Sequence, residues 1–313
     1  MRPVPHATDR RWRVIRRVEL RYTDGADLAL DRPAHVRAAS ALAAWGAELA
    51  VVSDDANFVA TVDPDRGACA AVTLPAGADG RRQFDVGRGN KAAKLDLECA
   101  FALDDALIAL GSDSGLAVRR VAAVVERGGA RLVALPRLYA ALAQPNLASG
   151  AVNLEGAAVH AGQLILGNRG GDRGPDGVPT VDAVAALALA DLRALLADPD
   201  GAPVPTVTWQ PLALGALAGV PLRLTELEAW DDGLAFAATA EATGSAYDDG
   251  AVVGSAIGWL GADDAWWATV VDRDGAPLAA KLEGLVRWDG RWLAAVDADD
   301  PARASELLEL VLE

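Results

Sequence analysis

The chain has 313 residues, 52% of them hydrophobic, which is enough to bury a sizeable core in one large all-β domain or in two ordinary domains. A formal charge of −15 opposes a broad nucleic-acid interface, because phosphate backbones select basic surfaces. No apolar run reaches the roughly 20 residues of a membrane-spanning helix, and two cysteines, Cys69 and Cys99, supply neither a disulfide framework nor a zinc quartet.

The first predicted element is a strand over residues 12–22, which precedes the repeat units and belongs to none of them. Residues 1–11 before it are charged and lack both an apolar segment and a small-residue cleavage site. We therefore expect no signal peptide and a cytoplasmic protein.

Five groups of short strands follow, each rich in Val, Leu and Ala and interrupted by Gly, Asp, Asn or Pro. The predicted strands are 38–44, 48–53, 58–63 and 69–74 in unit one; 97–103, 106–111, 116–125 and 130–135 in unit two; 154–160, 163–167, 180–188 and 204–212 in unit three; 224–230, 234–240, 251–260 and 265–272 in unit four; and 282–288, 291–297 and 303–312 in unit five. The Ala-rich stretch Ala183–Leu196 also has the propensity for a short surface helix.

Four strands per unit is typical of a β-propeller blade. Unit five has only three, and the strand over 12–22 can complete it, which would close the ring and remove an exposed edge. The sequence thus predicts one all-β domain over residues 1–313, a five-bladed propeller closed by an N-terminal strand. Six blades are the alternative if residues 168–222 contain an extra partial blade.

One polar position recurs near the start of the first strand of each unit. It is occupied by Ser40, Glu98, Glu155, Thr225 and Glu283. Successive positions are 57 or 58 residues apart, except for 70 between the third and the fourth. Since the innermost strand of every blade lines the central channel, these five side chains are expected to form a ring at one level of it.

Three carboxylates about 5 Å apart repel one another by roughly 3 kcal/mol per pair at an effective dielectric constant near 20. A calcium ion would neutralise them best, because it accepts six to eight oxygen ligands in loose geometry. Zinc is disfavoured, since the histidines His6, His35 and His160 are scattered. The alternative is that the glutamates are protonated, or are paired with nearby Arg37, Lys94, Arg223 and Lys281, without metal.

The order Ser, Glu, Glu, Thr, Glu around five units resembles the apyrase-type calcium-activated nucleotidases, which are five-bladed propellers with one central calcium. Ser53-Asp54-Asp55 before Phe58 is similar to an Asp-Asp turn of that family. The Leu-Glu-Gly segments are also similar to phytase-like propeller domains of bacteria. The resemblance implies the fold, a central Ca²⁺ and a phosphate-bearing substrate; the longer signature stretches of the nucleotidases are not found in this chain.

Loops that enter the first strands and loops that follow the second strands are expected to share the face with the ring. The entering loops contribute Arg81, Arg82, Arg88, Lys91, Lys94, Arg223 and Lys281. The loops after the second strands contribute Asp54, Asp55, Asn57, Asp113, Arg169, Asp172, Arg173, Asp248, Asp249, Asp297 and Asp299. Cations beside a divalent ion favour a small anionic substrate, because Arg binds phosphate or carboxylate in a bidentate manner; the alternative is a simply solvated loop.

The sequence therefore predicts a calcium-dependent hydrolase of a phosphate ester or phosphoanhydride, such as a nucleotide, a sugar phosphate or phytate. In this hypothesis the ring holds the ion, and Asp54 or Asp297 is the general base. The substrate-binding cations would be Arg37, Lys94, Arg169, Arg223 and Lys281. The alternatives are a non-catalytic propeller that binds a ligand or protein around a structural calcium, and a metal-dependent esterase or lactonase.

Overall fold

The computed structural model describes residues 1–143, 152–171, 179–242 and 250–313. The N-terminal segment forms three strands, β1 (Arg2–Pro3), β2 (Trp12–Glu19) and β3 (Arg21–Tyr22). Unit one consists of β4 (Ala39–Trp45), β5 (Glu48–Ser53), β6 (Phe58–Asp63) and β7 (Ala68–Thr73). Unit two consists of β8 (Leu97–Leu103), β9 (Ala106–Gly111), β10 (Val121–Glu126) and β11 (Gly129–Ala134).

Unit three consists of β12 (Leu154–His160), β13 (Gln163–Asn168), β14 (Ala183–Ala188) and β15 (Thr208–Ala213). The short strand β16 (Ala216–Leu217) precedes unit four, which consists of β17 (Val220–Trp230), β18 (Gly233–Ala242), β19 (Ala251–Leu260) and β20 (Ala265–Val271). Unit five contributes β21 (Lys281–Trp288), β22 (Arg291–Asp297) and β23 (Glu306–Leu312). The described helices are α1 (Pro136–Leu142), α2 (Leu189–Ala197) and the 3₁₀ turns Lys91–Ala93 and Ala117–Arg119.

Within each unit the strands pair antiparallel in chain order. The first hairpin of every unit has a two-residue turn whose first residue has a positive φ, as at Asp104 (54°) and Asp289 (48°). Turns with positive φ match the right-handed twist of the strands that they join, and Asp tolerates this conformation. The local sequence thus favours tight hairpins at the same place in each unit.

The N-terminal strand β2 completes the sheet of unit five. It pairs antiparallel with β23, with Trp12 opposite Leu312 and Glu19 opposite Glu306. It also pairs in parallel with β20 through Trp12 and Arg13, so that units four and five share one nine-stranded sheet. This pairing agrees with the expectation that the N-terminal strand completes unit five.

The first strands of the units contact one another in a closed order, β4 to β8, β8 to β12, β12 to β17, β17 to β21 and β21 to β4. Hydrophobic clusters lie between consecutive units in the same order. On β5, Val51 packs toward unit five whereas Val52 packs toward unit two. Both faces of the sheets are therefore buried, which explains why the strands are continuous apolar runs rather than alternating patterns.

The stretch Ala183–Leu196 forms a strand and then a helix. Residues Ala183–Ala188 pair with β13, and α2 follows directly. The buried side chains of α2, Leu189, Leu192 and Leu195 among them, join the cluster between units two and three. Among the described residues no helix is long and apolar enough to cross a membrane.

Candidate metal and ligand cavity

The five repeat positions share a backbone feature. In each unit the pairing of the first and second strands shifts register at this position: between Ala39 and Ala41, Leu97 and Cys99, Leu154 and Gly156, Leu224 and Glu226, and Leu282 and Gly284. Ser40, Glu98, Glu155, Thr225 and Glu283 are thus the extra residues of five β-bulges. A bulge leaves one residue outside the ladder and redirects its side chain, which explains why polar residues occur in otherwise apolar strands.

A cavity of about 520 Å³ opens at the bulged ends of the first strands. Its carboxylate-bearing residues are Asp54, Asp55, Asp85, Asp96, Glu98, Glu155, Glu241, Glu283, Asp297, Asp299 and Asp300. Its cationic residues are Arg37, Lys91, Lys94, Arg119, Arg169 and Lys281. With every group ionised, the described residues of the lining have eleven carboxylates and six cations, an excess of five negative charges.

One wall of the cavity holds a cluster of three carboxylates, Asp54, Asp96 and Glu98, which each offer an oxygen within 4.8 Å of the others. Lys94 pairs with Oδ2 of Asp54 and, at 2.5 Å, with Oδ1 of Asp96. Arg119 contacts the second oxygen of Asp96 at 2.6 Å, so that this carboxylate is fully engaged. We call these three carboxylates the acidic cluster.

Two members of the acidic cluster keep free acceptor atoms. Among the described residues, Oδ1 of Asp54 is buried without a hydrogen-bond partner, and the side chain of Glu98 makes no hydrogen bond or ion pair. Burial, followed by repulsion from Asp96 and Asp54, raises the pKa of Glu98 well above its usual value. The Lys94 ammonium opposes this shift. A buried carboxylate whose pKa remains raised favours either a proton or a metal ion.

A second part of the lining, which we call the paired wall, consists of Glu155, Arg169, Glu241, Lys281 and Glu283. Arg169 donates to Oε2 of Glu241 and lies 3.6 Å from Oε1 of Glu155, and Lys281 donates to Oε1 of Glu283. Burial raises the pKa of Glu283 to about 8, although the Lys281 ammonium opposes the shift. Burial also raises the pKa of Glu155, against the opposing effect of Arg169.

A family model of unknown function, DUF6929, matches residues 35–312. The chain belongs to this family. The match spans every unit described above, from Arg37 at the cavity to the last strand. A search of curated proteins found no match.

Solved structures with a similar fold have low sequence identity to the chain. Myxococcus xanthus glutaminyl cyclase is 12% identical with a TM-score of 0.50, over 99% of this chain and 98% of that chain. A PQQ-bound aldose sugar dehydrogenase from Streptomyces coelicolor is 13% identical with a TM-score of 0.41, over 99% and 100%. Both are propeller-type enzymes, and the likeness to the first supports an all-β, propeller-like fold for this member of the family.

Most of the residues singled out in the sequence lie together at the cavity. The lining includes Ser40, Asp54, Glu98, Glu155, Glu283, Asp297, Arg37, Lys94, Arg169 and Lys281. Ser40 donates its hydroxyl to the carbonyl of Leu97 at 2.5 Å, so its oxygen still has free lone pairs. The side chain of Asp297 makes no hydrogen bond or ion pair with a described residue, and its pKa is raised well above the usual value by burial and by Asp54.

Two of the predicted site residues lie elsewhere. Thr225 is fully buried, its hydroxyl oxygen has no partner in the described part of the chain, and it is not in the cavity lining. Arg223 lies 3.3 Å from Asp182, which also accepts the backbone N–H groups of Gly170 and Leu224. Arg223 is thus engaged in joining units three and four.

The loop predictions have a mixed outcome. Asp55, Arg169, Asp299 and Lys91 line the cavity, whereas Asn57, Arg81, Arg82, Arg88 and Asp113 do not. Arg88 is 3.0 Å from Asp31 and 3.3 Å from Asp85. The predicted loop residues Asp172, Arg173, Asp248 and Asp249 lie outside the described residues.

Sequence reasoning did not single out Asp96, Glu241, Arg119 or Asn153 as cavity residues. Asp96 and Asn153 could have been found from a second repeat position, two residues before each bulge. This position is occupied by Ala38, Asp96, Asn153, Arg223 and Lys281. Ala38 and Asp96 both have a positive φ at this position, and Asn153 donates to Glu155 at 2.6 Å. Aligning this second polar position would have placed Asp96 and Asn153 beside the ring.

Proposed function

We propose that the chain is a calcium-dependent hydrolase of phosphate esters or phosphoanhydrides, built as a five-bladed propeller. The five antiparallel units, the cyclic contacts of their first strands and the clusters between consecutive units support this blade count. The antiparallel pairing of β2 with β23 supports closure of the ring by the N-terminal strand.

The observation that carries the calcium proposal is the acidic cluster with its free oxygens. Oxygens no more than 4.8 Å apart, each bearing a unit charge, repel by at least about 3 kcal/mol at an effective dielectric constant near 20. Lys94 occupies Oδ2 of Asp54 and leaves Oδ1 of Asp54 and both oxygens of Glu98 for an ion. No His or Cys belongs to the described lining, and a set of oxygen donors alone is the preference of calcium rather than zinc.

The excess of negative charge determines how an anionic substrate would bind. A phosphate entering this lining alone would meet net repulsion, so we expect the ion to bind first and the phosphoryl oxygen to approach it. A bound calcium would polarise that oxygen. Lys94 and Arg169 would stabilise the charge that develops, and Asp297, which has no protein partner in the described residues, is the general base in this proposal.

A second candidate function is a non-catalytic binding propeller. The paired wall favours it, because Glu155 and Glu283 have Arg169 and Lys281 as counter-charges and need no metal. In that case the acidic cluster and its ion would only hold units one and two together, and the cavity would bind its ligand without turnover.

The first test measures metal binding by calorimetry with calcium, magnesium and zinc on chelator-treated protein. We expect one calcium per chain, and we expect Glu98→Gln to weaken binding at least tenfold, which is a loss of about 1.4 kcal/mol. Asp299→Asn is the matched control, since it removes one charge from the same lining outside the acidic cluster, and it should change affinity by less than threefold. Equal losses in the two variants would mean a diffuse electrostatic effect and would refute a site at Glu98.

The second test measures turnover of nucleotides, sugar phosphates, phytate and simple carboxylic esters, with calcium and with a chelator. Calcium-dependent release of phosphate supports the hydrolase. If Asp297→Asn loses this turnover but keeps its calcium affinity, the result supports Asp297 as the general base. Calcium binding without turnover of any member supports the binding propeller, and turnover of carboxylic esters alone would assign an esterase.

A further inference from the structure

The paired wall contains polar atoms that its own ion pairs leave unsatisfied. Within the described part of the chain, Oε1 of Glu241 and Oε2 of Glu283 are buried without a hydrogen-bond partner, and so is the Nε–H of Arg169. All three side chains line the cavity and are less than one-tenth exposed. Since a buried polar group without a hydrogen-bond partner destabilises the protein, these atoms mark a place where a ligand would gain by binding.

The unsatisfied atoms specify the chemistry of that ligand. Two orphan carboxylate oxygens require hydrogen-bond donors, and three carboxylates against two cations leave the wall with one net negative charge when all are ionised. The orphan Nε–H of Arg169 requires an acceptor nearby. A ligand with an ammonium group beside an oxygen atom would satisfy all three atoms, because the ammonium donates to the two carboxylate oxygens and the oxygen accepts from Arg169. The positive charge of the ammonium would also neutralise the net negative charge of the wall.

The paired wall is distinct from the acidic cluster. Its carboxylates come from units three, four and five, whereas Asp54, Asp96 and Glu98 come from unit one and from the start of unit two. Both walls belong to one cavity of about 520 Å³, which is within the usual size range of small-ligand sites. In addition to burial, Asp54 and Glu283 both raise the pKa of Asp297, which indicates that the two walls lie close enough for one small ligand to contact both.

We propose that Glu241 and Glu283 form a subsite for a primary ammonium group of the ligand. Combined with the proposed function, on which this extension rests, the substrate is a small zwitterionic phosphate ester: its phosphoryl group meets the calcium ion at the acidic cluster, and its ammonium group binds Glu241 and Glu283. The ammonium subsite itself needs neither the ion nor turnover.

The test separates the subsite from the hydrolase. Binding of ethanolamine, choline and potassium is measured by calorimetry in the presence of a chelator, so that a failure of the calcium proposal leaves the result intact. We expect ethanolamine to bind at least tenfold more tightly than choline, because a quaternary ammonium cannot donate N–H hydrogen bonds to the two orphan oxygens. Equal affinities for ethanolamine and choline, or for ethanolamine and potassium, would overturn the proposal in favour of a non-specific acidic surface or an inorganic cation site.

Variants locate the site. Glu241→Gln should weaken ethanolamine at least tenfold, and Asp299→Asn, which removes the same charge from the cavity lining, should weaken it less than threefold. Because Glu241 pairs with Arg169, its substitution could destabilise the protein, so the urea midpoint of each variant is measured first. If Glu241→Gln does not fold, Glu283→Gln provides the same comparison. An unchanged affinity in the folded variant would refute the assignment.

With calcium present, 2-aminoethyl phosphate is compared with ethyl phosphate. If both proposals are right, the aminoethyl ester binds at least tenfold more tightly, and Glu241→Gln removes the difference. If ethanolamine binds but neither phosphate ester does, the ammonium subsite stands and the proposed function fails.

Discussion

Closure of the ring between unit five and unit one depends on a close approach at Gly284. A Cβ atom added there would lie 2.6 Å from Cβ of Leu42 and 2.8 Å from the backbone N of Leu42. Ordinary contacts between carbon atoms are about 3.5–4.0 Å, so Gly284→Ala requires a displacement of roughly 0.9 Å. Because one of the clashing atoms belongs to the backbone of β4, a side-chain rotation cannot relieve it.

Overpacking of this kind costs about 1–3 kcal/mol, and the lower entropy of the unfolded Ala variant returns about 0.4–1 kcal/mol. We therefore expect a net loss of about 1–2 kcal/mol for Gly284→Ala, measured by urea unfolding at equilibrium. Gly128→Ala is the control, because Gly128 lies in an exposed turn with no heavy atom within 4 Å of the added Cβ, and it should be neutral or slightly stabilising. Equal stabilities of the two variants would refute the close contact between β21 and β4.

Two further predictions concern buried charge. Burial raises the pKa of the Glu228 carboxyl group from 4.5 to about 7. A carboxyl group whose pKa is higher in the folded than in the unfolded protein stabilises the fold while it is protonated. This contribution, about 3 kcal/mol, is fully present below pH 4.5 and is lost as the pH rises through 7. Glu228→Gln should therefore flatten the fall in urea-unfolding free energy between pH 5 and 8, whereas the exposed control Glu48→Gln should keep it, and parallel profiles would contradict the prediction. Lys94→Met should lower the unfolding free energy by about 3–5 kcal/mol in chelator, since Asp54 and Asp96 lose their shared counter-charge, and less in calcium; a loss below 1 kcal/mol in chelator would contradict it.

The strand pattern and the repeat were visible in the sequence because each unit uses the same local rules. A two-residue turn after the first strand and a bulge near its start recur at equivalent positions, and both leave a signature: Asp or Gly at the turn, a polar residue in an apolar run. Helix α1 left a weaker signature. Pro136 suits the first turn of a helix, but seven residues with only Leu138, Tyr139 and Leu142 buried do not establish a periodic pattern.

The fourth unit shows the limit of spacing as evidence. Thr225 is the bulged residue, yet it is not in the cavity lining, and the next residue, Glu226, carries a buried carboxyl group. At the equivalent position the other units have Ala41, Cys99, Gly156 and Gly284. Oε1 of Glu226 accepts the backbone N–H of Leu227 at 2.9 Å and that of Ala157 at 3.3 Å, so that this side chain links β17 to β12. Spacing alone cannot distinguish a side chain that faces the cavity from one that is packed beneath it.

The sequence also could not assign ion pairs. It placed Arg37, Arg223 and Lys281 near the ring, but only Lys281 pairs with a ring glutamate; Arg37 contacts Asp55 and Arg223 contacts Asp182. A salt bridge depends on differences of one or two ångströms between side chains from different units, whereas a repeat alignment fixes only the level at which the backbone lies. For most of the cavity residues, the sequence predicted the position along the channel, but it did not predict which charged side chains pair with one another.

The charge state of the cavity links its two proposed ligands. Burial raises the pKa values of Glu98, Glu155, Glu283 and Asp297, so the lining without ligands favours bound protons over a full set of carboxylates. A calcium ion or an ammonium group needs the ionised forms, and its binding must therefore release protons. It follows that the ammonium affinity should increase as the pH rises through about 8, the pKa of Glu283, and that the calcium affinity should increase as Glu98 ionises. Each ligand, by lowering the negative charge, reduces the electrostatic attraction for the other unless a phosphate joins them.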